Sequence, residues 1–207
     1  MDGKMKSILG SILVIGIVAA MMTIGTISYY SDTETSVGNT FTAGTLDLKV
    51  WNSSGNGAWV DDPNVPNVNY LWNNMVNNLK PGDSGTIIIP IKNAGTIDGY
   101  ADIHIKNVVN SPGTTPEPEP TPDNGELGSA IRVNISYDSD GDGNADKTLE
   151  TGETLDNLEC KTYTASTVLA AGSTANWIID LWIPSSVGNE IQGDSVTCDV
   201  EFSLNQA

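Results

Sequence analysis

The chain has 207 residues and a formal net charge of −17, with 26 acidic against 9 basic side chains and one histidine. A surface of that sign repels nucleic acid, whose binding needs clustered Lys and Arg to displace counterions, so nucleic-acid recognition is excluded, while cations and high-salt solubility are favoured. The length suits a single domain with a full core.

Lys4 and Lys6 precede a nearly uncharged stretch from Ile8 to Ile27, which ends in Thr26-Ile27-Ser28 and gives way to polar residues at Tyr29. A basic start, an apolar middle and small residues before the cut predict a secretory signal peptide over 1–28, cleaved between Ser28 and Tyr29. A retained membrane anchor is the competing reading, because an apolar run of this length can span a bilayer core of about 30 Å. Cleavage removes Asp2, Lys4 and Lys6 and leaves a mature chain one unit more negative than −17. That chain is expected outside the cell, with membrane contact only through an uncleaved signal. Tyr29, Tyr30, Ser31, Asp32, Thr33, Glu34, Thr35, Ser36, Val37, Gly38 and Asn39 carry no turn signal and no helical face. They predict an extended arm, so that 29–43 precedes a folded domain over 44–207.

Within that domain apolar residues recur with a period of two, the signature of half-buried strands. Leu46, Leu48 and Val50 alternate with Asp47 and Lys49. The polar, Asn-rich stretch from Asn52 to Asn78 predicts a long loop that packs Trp59, Tyr70 and Trp72 onto the body. After a Pro81-Gly82-Asp83 turn, Thr86 to Ile91 is evenly apolar, as for a strand covered on both faces. Asn93-Ala94-Gly95 marks the next turn. Ile103 and Ile105 then alternate with His104 and Lys106, which places the lone histidine toward solvent. Ser111 to Ser129 has a Pro-Glu-Pro-Glu-Pro core that lacks ladder donors and predicts an extended loop insertion. Ile131, Val133, Ile135 and Tyr137 form one strand face, Ala175, Trp177, Ile179, Leu181 and Ile183 another, and Val196, Cys198, Val200, Phe202 and Leu204 the clearest. Turn signals at Ala171-Gly172-Ser173 and Gly188-Asn189 complete the pattern. Seven to nine short strands at this spacing predict an all-β, jelly-roll-like antiparallel sandwich.

Between two of those runs lies Asp138-Ser139-Asp140-Gly141-Asp142-Gly143-Asn144-Ala145-Asp146. Oxygen side chains at alternate positions, with glycine at the sharp turn, predict a Ca²⁺ loop held by Asp138, Asp140, Asp142, the Asn144 carbonyl and Asp146. The loop departs from an EF-hand at its last ligand, where Leu149 precedes Glu150, and no helix flanks it. Glu150, Glu153 and Asp156 are the further candidates to complete the shell; an ion-free acidic hairpin tip is the alternative. Asn52 and Asn134 head Asn-x-Ser sequons and are candidate glycosylation sites. The chain's two cysteines, Cys160 and Cys198, suit a disulfide in an exported protein, which would stabilise by roughly 3–4 kcal/mol; the alternative is a pair of buried thiols.

Three ordered blocks carry a resemblance. Thr40-Phe41-Thr42-Ala43-Gly44-Thr45-Leu46-Asp47-Leu48, Asn78-Leu79-Lys80-Pro81-Gly82-Asp83 and Ile91-Lys92-Asn93-Ala94-Gly95-Thr96 resemble the opening block, the Leu-x-Pro-Gly-Asp turn and the Asn-x-Gly strand end of the TasA/camelysin family of secreted fibre-forming proteins, which includes subunits of archaeal bundling pili. The blocks cover the N-terminal half; the later strands match in pattern alone. Neither the 138–146 loop nor the Pro-rich insertion belongs to the family's basic pattern. The resemblance implies a jelly-roll subunit of a biofilm-matrix fibre or bundling pilus, polymerising with itself. In such fibres the segment freed by signal removal, here Tyr29 to Asn39, enters the next subunit's sheet as a donor strand. Strand addition satisfies backbone groups exposed at a sheet edge, and repeated head to tail it yields a filament.

The competing readings are a monomeric surface or matrix-binding module that meets other matrix proteins, and a metalloprotease, as camelysin-like members have been described. The last is disfavoured by residue type. The chain has no His-Glu-x-x-His, and one histidine cannot build the usual multi-His zinc site. Acidic oxygens suit Ca²⁺ rather than a zinc hydroxide.

Overall fold

The computed structural model describes residues 43–52, 57–61, 79–112 and 124–207. The signal segment, the Ser28–Tyr29 junction, the arm from Tyr29 to Asn39, most of the Pro-rich insertion and the aromatics Tyr70 and Trp72 lie outside them. Among the described residues no helix is long and apolar enough to cross a membrane.

The described residues form nine strands, in chain order β1 (Leu48–Asn52), β2 (Ala58–Val60), β3 (Ser84–Asn93), β4 (Gly99–Ser111), β5 (Arg132–Asp138), β6 (Lys147–Thr154), β7 (Lys161–Thr164), β8 (Thr174–Trp182) and β9 (Ser195–Gln206). A single helical turn, α1 (Leu127–Ala130), precedes β5. All pairings are antiparallel and form a six-stranded sheet, β2-β1-β3-β8-β5-β6, and a three-stranded sheet, β7-β4-β9. The fold is an all-β sandwich, as the period-two pattern predicts.

The core lies between the sheets. Ile87, Ile89 and Ile91 of β3, Ala175, Trp177 and Ile179 of β8, and Val133, Ile135 and Tyr137 of β5 point inward from the large sheet, against Ala101, Ile103 and Ile105 of β4. Each fully buried isoleucine of this set contributes about 1.5–3 kcal/mol. Tyr137 and Trp177, opposite each other in the β5–β8 register, pack with ring centroids 5.0 Å apart.

Two expectations are corrected. β3 is not covered on both faces: its burial alternates, and Ile88 is 40% exposed. Ile88 pairs with Ile178 across β3–β8 on the sheet's outer face, so this isoleucine run serves both faces by cross-strand packing rather than by burial under a second layer. The stretch after Asn52 is not one loop, because β2 lies within it and pairs with β1 through Trp51 and Trp59. A period of two was hard to see there because Trp59 and Val60 alone make its apolar signal.

The turn at Asn93–Gly95 ties β3 to the segment ahead of β1. Asn93 is fully buried and donates from Nδ2 to the Ile97 and Leu169 carbonyls, while its Oδ1 accepts from the Gly95 N–H at 3.0 Å. Ala94 and Thr96 donate to the Asp47 and Thr45 carbonyls at 2.6 and 2.7 Å. A Cβ at position 95 would lie 2.1 Å from the Thr45 carbonyl oxygen, so only glycine lets the two backbones close.

The two open ends of the sandwich differ. Where β6 and β7 end their sheets, Tyr163 donates to Glu150 at 2.6 Å, and Lys161 lies 3.7 Å from Glu150 and 3.5 Å from Glu153. At the other end, β1 and β9 are separated by a groove.

Candidate functional site

The cation loop joins β5 to β6. Asp138 closes β5 and is fully buried. One of its oxygens accepts the Gly141 N–H at 2.7 Å; the other accepts the Gly143 N–H at 2.8 Å and the Asn176 amide of β8 at 2.7 Å. Gly141 and Gly143 both take left-handed backbone, with φ of +76° and +89°, which lets the chain curl so tightly around one carboxylate. Asp146 accepts the Ser139 N–H and hydroxyl, and its own N–H returns to the Tyr137 carbonyl at 3.0 Å. Oxygens of Asp138, Asp140 and Asp146 thereby come within 4.8 Å of one another.

Charge in this cluster is unevenly tolerated. Burial pushes the Asp138 carboxyl up, but hydrogen bonds from Asn176, Gly143 and Gly141 outweigh it and hold the group below its ordinary value. For Asp140 the Asp142 N–H favours the charged form, yet desolvation and the neighbouring carboxylates raise it overall. A cation among these oxygens would relieve that repulsion.

The remaining predicted ligands stand apart from the trio. Asp142 turns to Asn144, accepting its N–H at 2.7 Å and its side-chain amide at 3.1 Å. Glu150 is held by Tyr163, Glu153 by Asn157 at 3.0 Å, and Asp156 by Asn110 at 2.8 Å. Those carboxylates are committed to fastening the sandwich and its loops, and the sequence had no signal that told the two uses apart.

The cysteine pairing is corrected. Cys160 and Cys198 are free thiols. Cys160 donates its N–H to the Ile105 carbonyl at the start of β7, and Cys198 lies in β9 beside Asp199, which pairs with Lys106. β4 therefore runs between them. Two strand spacings put their backbones about 10 Å apart, beyond the roughly 4.4–6.8 Å that a disulfide spans. Cys160 is exposed, whereas burial first and Asp199 second push the Cys198 thiol up to about 11.

His104 keeps the outward parity expected of it. Its Nδ1 lies 3.9 Å from Glu201, which also pairs with Lys106. Asn134 sits mid-sheet on β5 with its Oδ1 accepting the Gly152 N–H at 2.9 Å, and Ser136 of its sequon is 3% exposed. Asn52 ends β1, half-buried.

Sequence reasoning allowed for an open groove but did not place it. A pocket of about 180 Å³ between β1 and β9 is lined by Leu46, Leu48, Val50, Asp61, Phe202, Ser203 and Leu204. β9 pairs with β4 on one side, and among the described residues no strand pairs with the other. Its inward residues Val196, Cys198, Val200 and Leu204 are only half-buried, while their neighbours Ala101, Ile103 and Ile105 on β4 are fully enclosed. Among the described residues the core is left open along one edge. Alternation in the sequence identified the inward face of β9, but nothing in it revealed that no described strand covers that face.

Comparison with curated proteins gives no match to this chain. Comparison with family models does: a model described as Camelysin metallo-endopeptidase matches residues 4–207, and the chain belongs to the camelysin family.

Proposed function

We propose that this chain is the structural subunit of an extracellular filament that grows head to tail by strand donation. Signal removal after Ser28 frees the arm from Tyr29 to Asn39, and that arm lies along the open edge of β9 in the next subunit. The reading is carried by one observation: among the described residues β9 has an unpaired edge and a half-buried inward face above an apolar groove. An added strand would satisfy its idle backbone groups and finish the core. Ca²⁺, bound by Asp138, Asp140 and Asp146 with Asp142 and the Asn144 carbonyl, stiffens the β5–β6 turn.

The family's description names a metallo-endopeptidase, and the residues here do not fit the zinc centre such an activity uses. His104 is the chain's one histidine, and it faces Glu201 and Lys106 on an outer sheet face. Among the described residues the group that gathers three metal-binding side chains is all carboxylate, a hard-oxygen set that favours Ca²⁺.

The test is electron microscopy of the chain starting at Tyr29, beside a variant lacking Tyr29 to Asn39. Filaments from the first and folded monomers from the second are expected. Normal fibres from the deletion variant overturn strand donation. A monomer in both cases, even at high concentration with Ca²⁺, replaces the reading with a surface or matrix-binding module. Zinc-dependent casein hydrolysis that Glu201→Gln abolishes would restore the peptidase reading.

A further inference from the structure

On the face of β1 turned away from the groove, Trp51 pairs with Trp59 of β2, with ring centroids 5.2 Å apart and planes at 67°. Trp51 is 38% exposed. Its orientation is fixed from below by Gly57 (φ +62°), where a Cβ would lie 2.6 Å from the indole Cζ2. The Lys92 ammonium sits 6.0 Å from the Trp59 ring centroid. Beside the rings, Lys49 bridges Asp61 and Asp47, the latter at 3.2 Å. A large aromatic side chain is normally buried, and here one is instead held rigidly at the surface.

The charges around it decide what it suits. Among the described residues Lys49 and Lys92 balance Asp47 and Asp61, so on a chain of net charge −17 they present no surplus charge to draw an ion from water. What remains is a flat apolar ring bordered by fixed donors and acceptors. A neutral sugar has the matching chemistry, with an apolar C–H face to lie on the ring and hydroxyls at its rim for carboxylates and ammonium groups to bind. We propose that the Trp51–Trp59 corner binds neutral polysaccharide, with Trp51 as the stacking platform, Trp59 as its wall, and Asp47, Asp61 and Lys49 as hydroxyl partners. Leu48 and Val50 line the groove from the opposite face of β1, and of the proposed site only Asp61 also borders it, so the Trp51 platform does not rest on the filament reading.

The full chain, kept soluble in a polyoxyethylene detergent without sugar headgroups, is run on native gels that contain mixed-linkage β-glucan, galactomannan or dextran, and on one that contains anionic pectate. Retardation by at least one neutral polymer is expected, little changed by salt. Trp51→Ala should need at least tenfold more polymer for the same retardation. Trp51→Tyr should show a smaller loss, and Ile88→Ala, a comparably exposed residue of the same sheet, none. Should Trp51→Ala fail to fold, Trp51→Tyr carries the test, and its equality with wild type overturns the proposal. So do retardation by none of the neutral polymers, retardation by pectate alone, and retardation that follows protein concentration and reports contact between copies.

Discussion

Val200 and Leu204 face inward from β9 but are half-buried, and Val200 sits directly opposite the enclosed Ile105. Replacing both by alanine deletes two carbons from the valine and three from the leucine. At about 0.8 kcal/mol per buried methylene, full burial would be worth roughly 4 kcal/mol. Half of that, about 2 kcal/mol, is realised within the isolated subunit. The other half is realised only when a strand covers β9. Val200→Ala with Leu204→Ala should therefore lower the subunit's stability by about 2 kcal/mol and raise the protein concentration needed for polymerisation by roughly thirtyfold. Thermal unfolding under depolymerising conditions gives the first number, and sedimentation of filaments across a concentration series gives the second. A melting loss without any change in the polymerisation threshold would refute strand addition at β9. Ile105→Val is the control, since its enclosure within the subunit predicts a lower melting temperature and an unchanged association step.

Ca²⁺ at an affinity on the order of 10⁻⁴–10⁻³ M should raise the melting temperature by several degrees when added at about ten millimolar, by ligand linkage; Asp140→Asn with Asp142→Asn should abolish the rise, and equal melting of the unmodified chain in chelator and in Ca²⁺ would count against the site. Thiol alkylation of the folded chain, followed by mass spectrometry, should label Cys160 rapidly and Cys198 slowly, because Cys198 is half-buried with its thiol pushed up to about 11; a native mass two hydrogen atoms light, signifying a disulfide, would refute the strand order around β4. In chelator, Asp138 should make the chain acid-sensitive. Its folded carboxyl is depressed below the ordinary value of 3.8, so its contribution is present above that pH and is lost as pH falls through the lower folded value. The melting-temperature gap between wild type and Asp138→Asn should thus narrow below about pH 4; a gap constant down to pH 2.5 would show that Asp138 acts by packing alone.

The strands legible in the sequence are those that build the core. β4, β5, β8 and β9 each present alternating apolar residues because one face of each meets the opposite sheet; burial follows that alternation in β4 and β9, whereas in β5 and β8, central in the large sheet, residues of the other face such as Ser136, Asn176 and Ile178 are buried as well. The strands that were not legible lie at edges. β6 has Leu149 as its one apolar residue and β7 has Tyr163, and neither needs more because each pairs with a single neighbour. The cation loop was legible for a different reason. Side-chain oxygens at alternate positions with glycines between them record a local backbone path, which Gly141 and Gly143 then take. Which carboxylates converge was less so: Asp142 finds Asn144 beside it, and Glu150 finds Tyr163 across the sandwich, contacts set by strand order rather than by spacing. The disulfide expectation failed on the same ground, since the two cysteines share a sheet but flank its middle strand.

The unequal ends of the sandwich bear on how such a subunit could grow in one direction. An antiparallel sandwich that leaves both edges bare invites indiscriminate pairing, and proteins suppress this with charge, short edge strands or cover. At the β6–β7 end the suppression is present: β7 has four residues, and Tyr163, Glu150, Lys161 and Glu153 stitch the sheets together with polar contacts that offer an incoming strand no apolar seat. Among the described residues it is missing along the groove at the β1–β9 end, where β9 is twelve residues long and the lining is mostly leucine, valine and phenylalanine. A strand arriving from another copy gains both backbone pairing and apolar burial at one end and little of either at the other. On the proposed reading, that difference makes the contact heterologous and non-closing, which is the condition for a filament instead of a closed dimer.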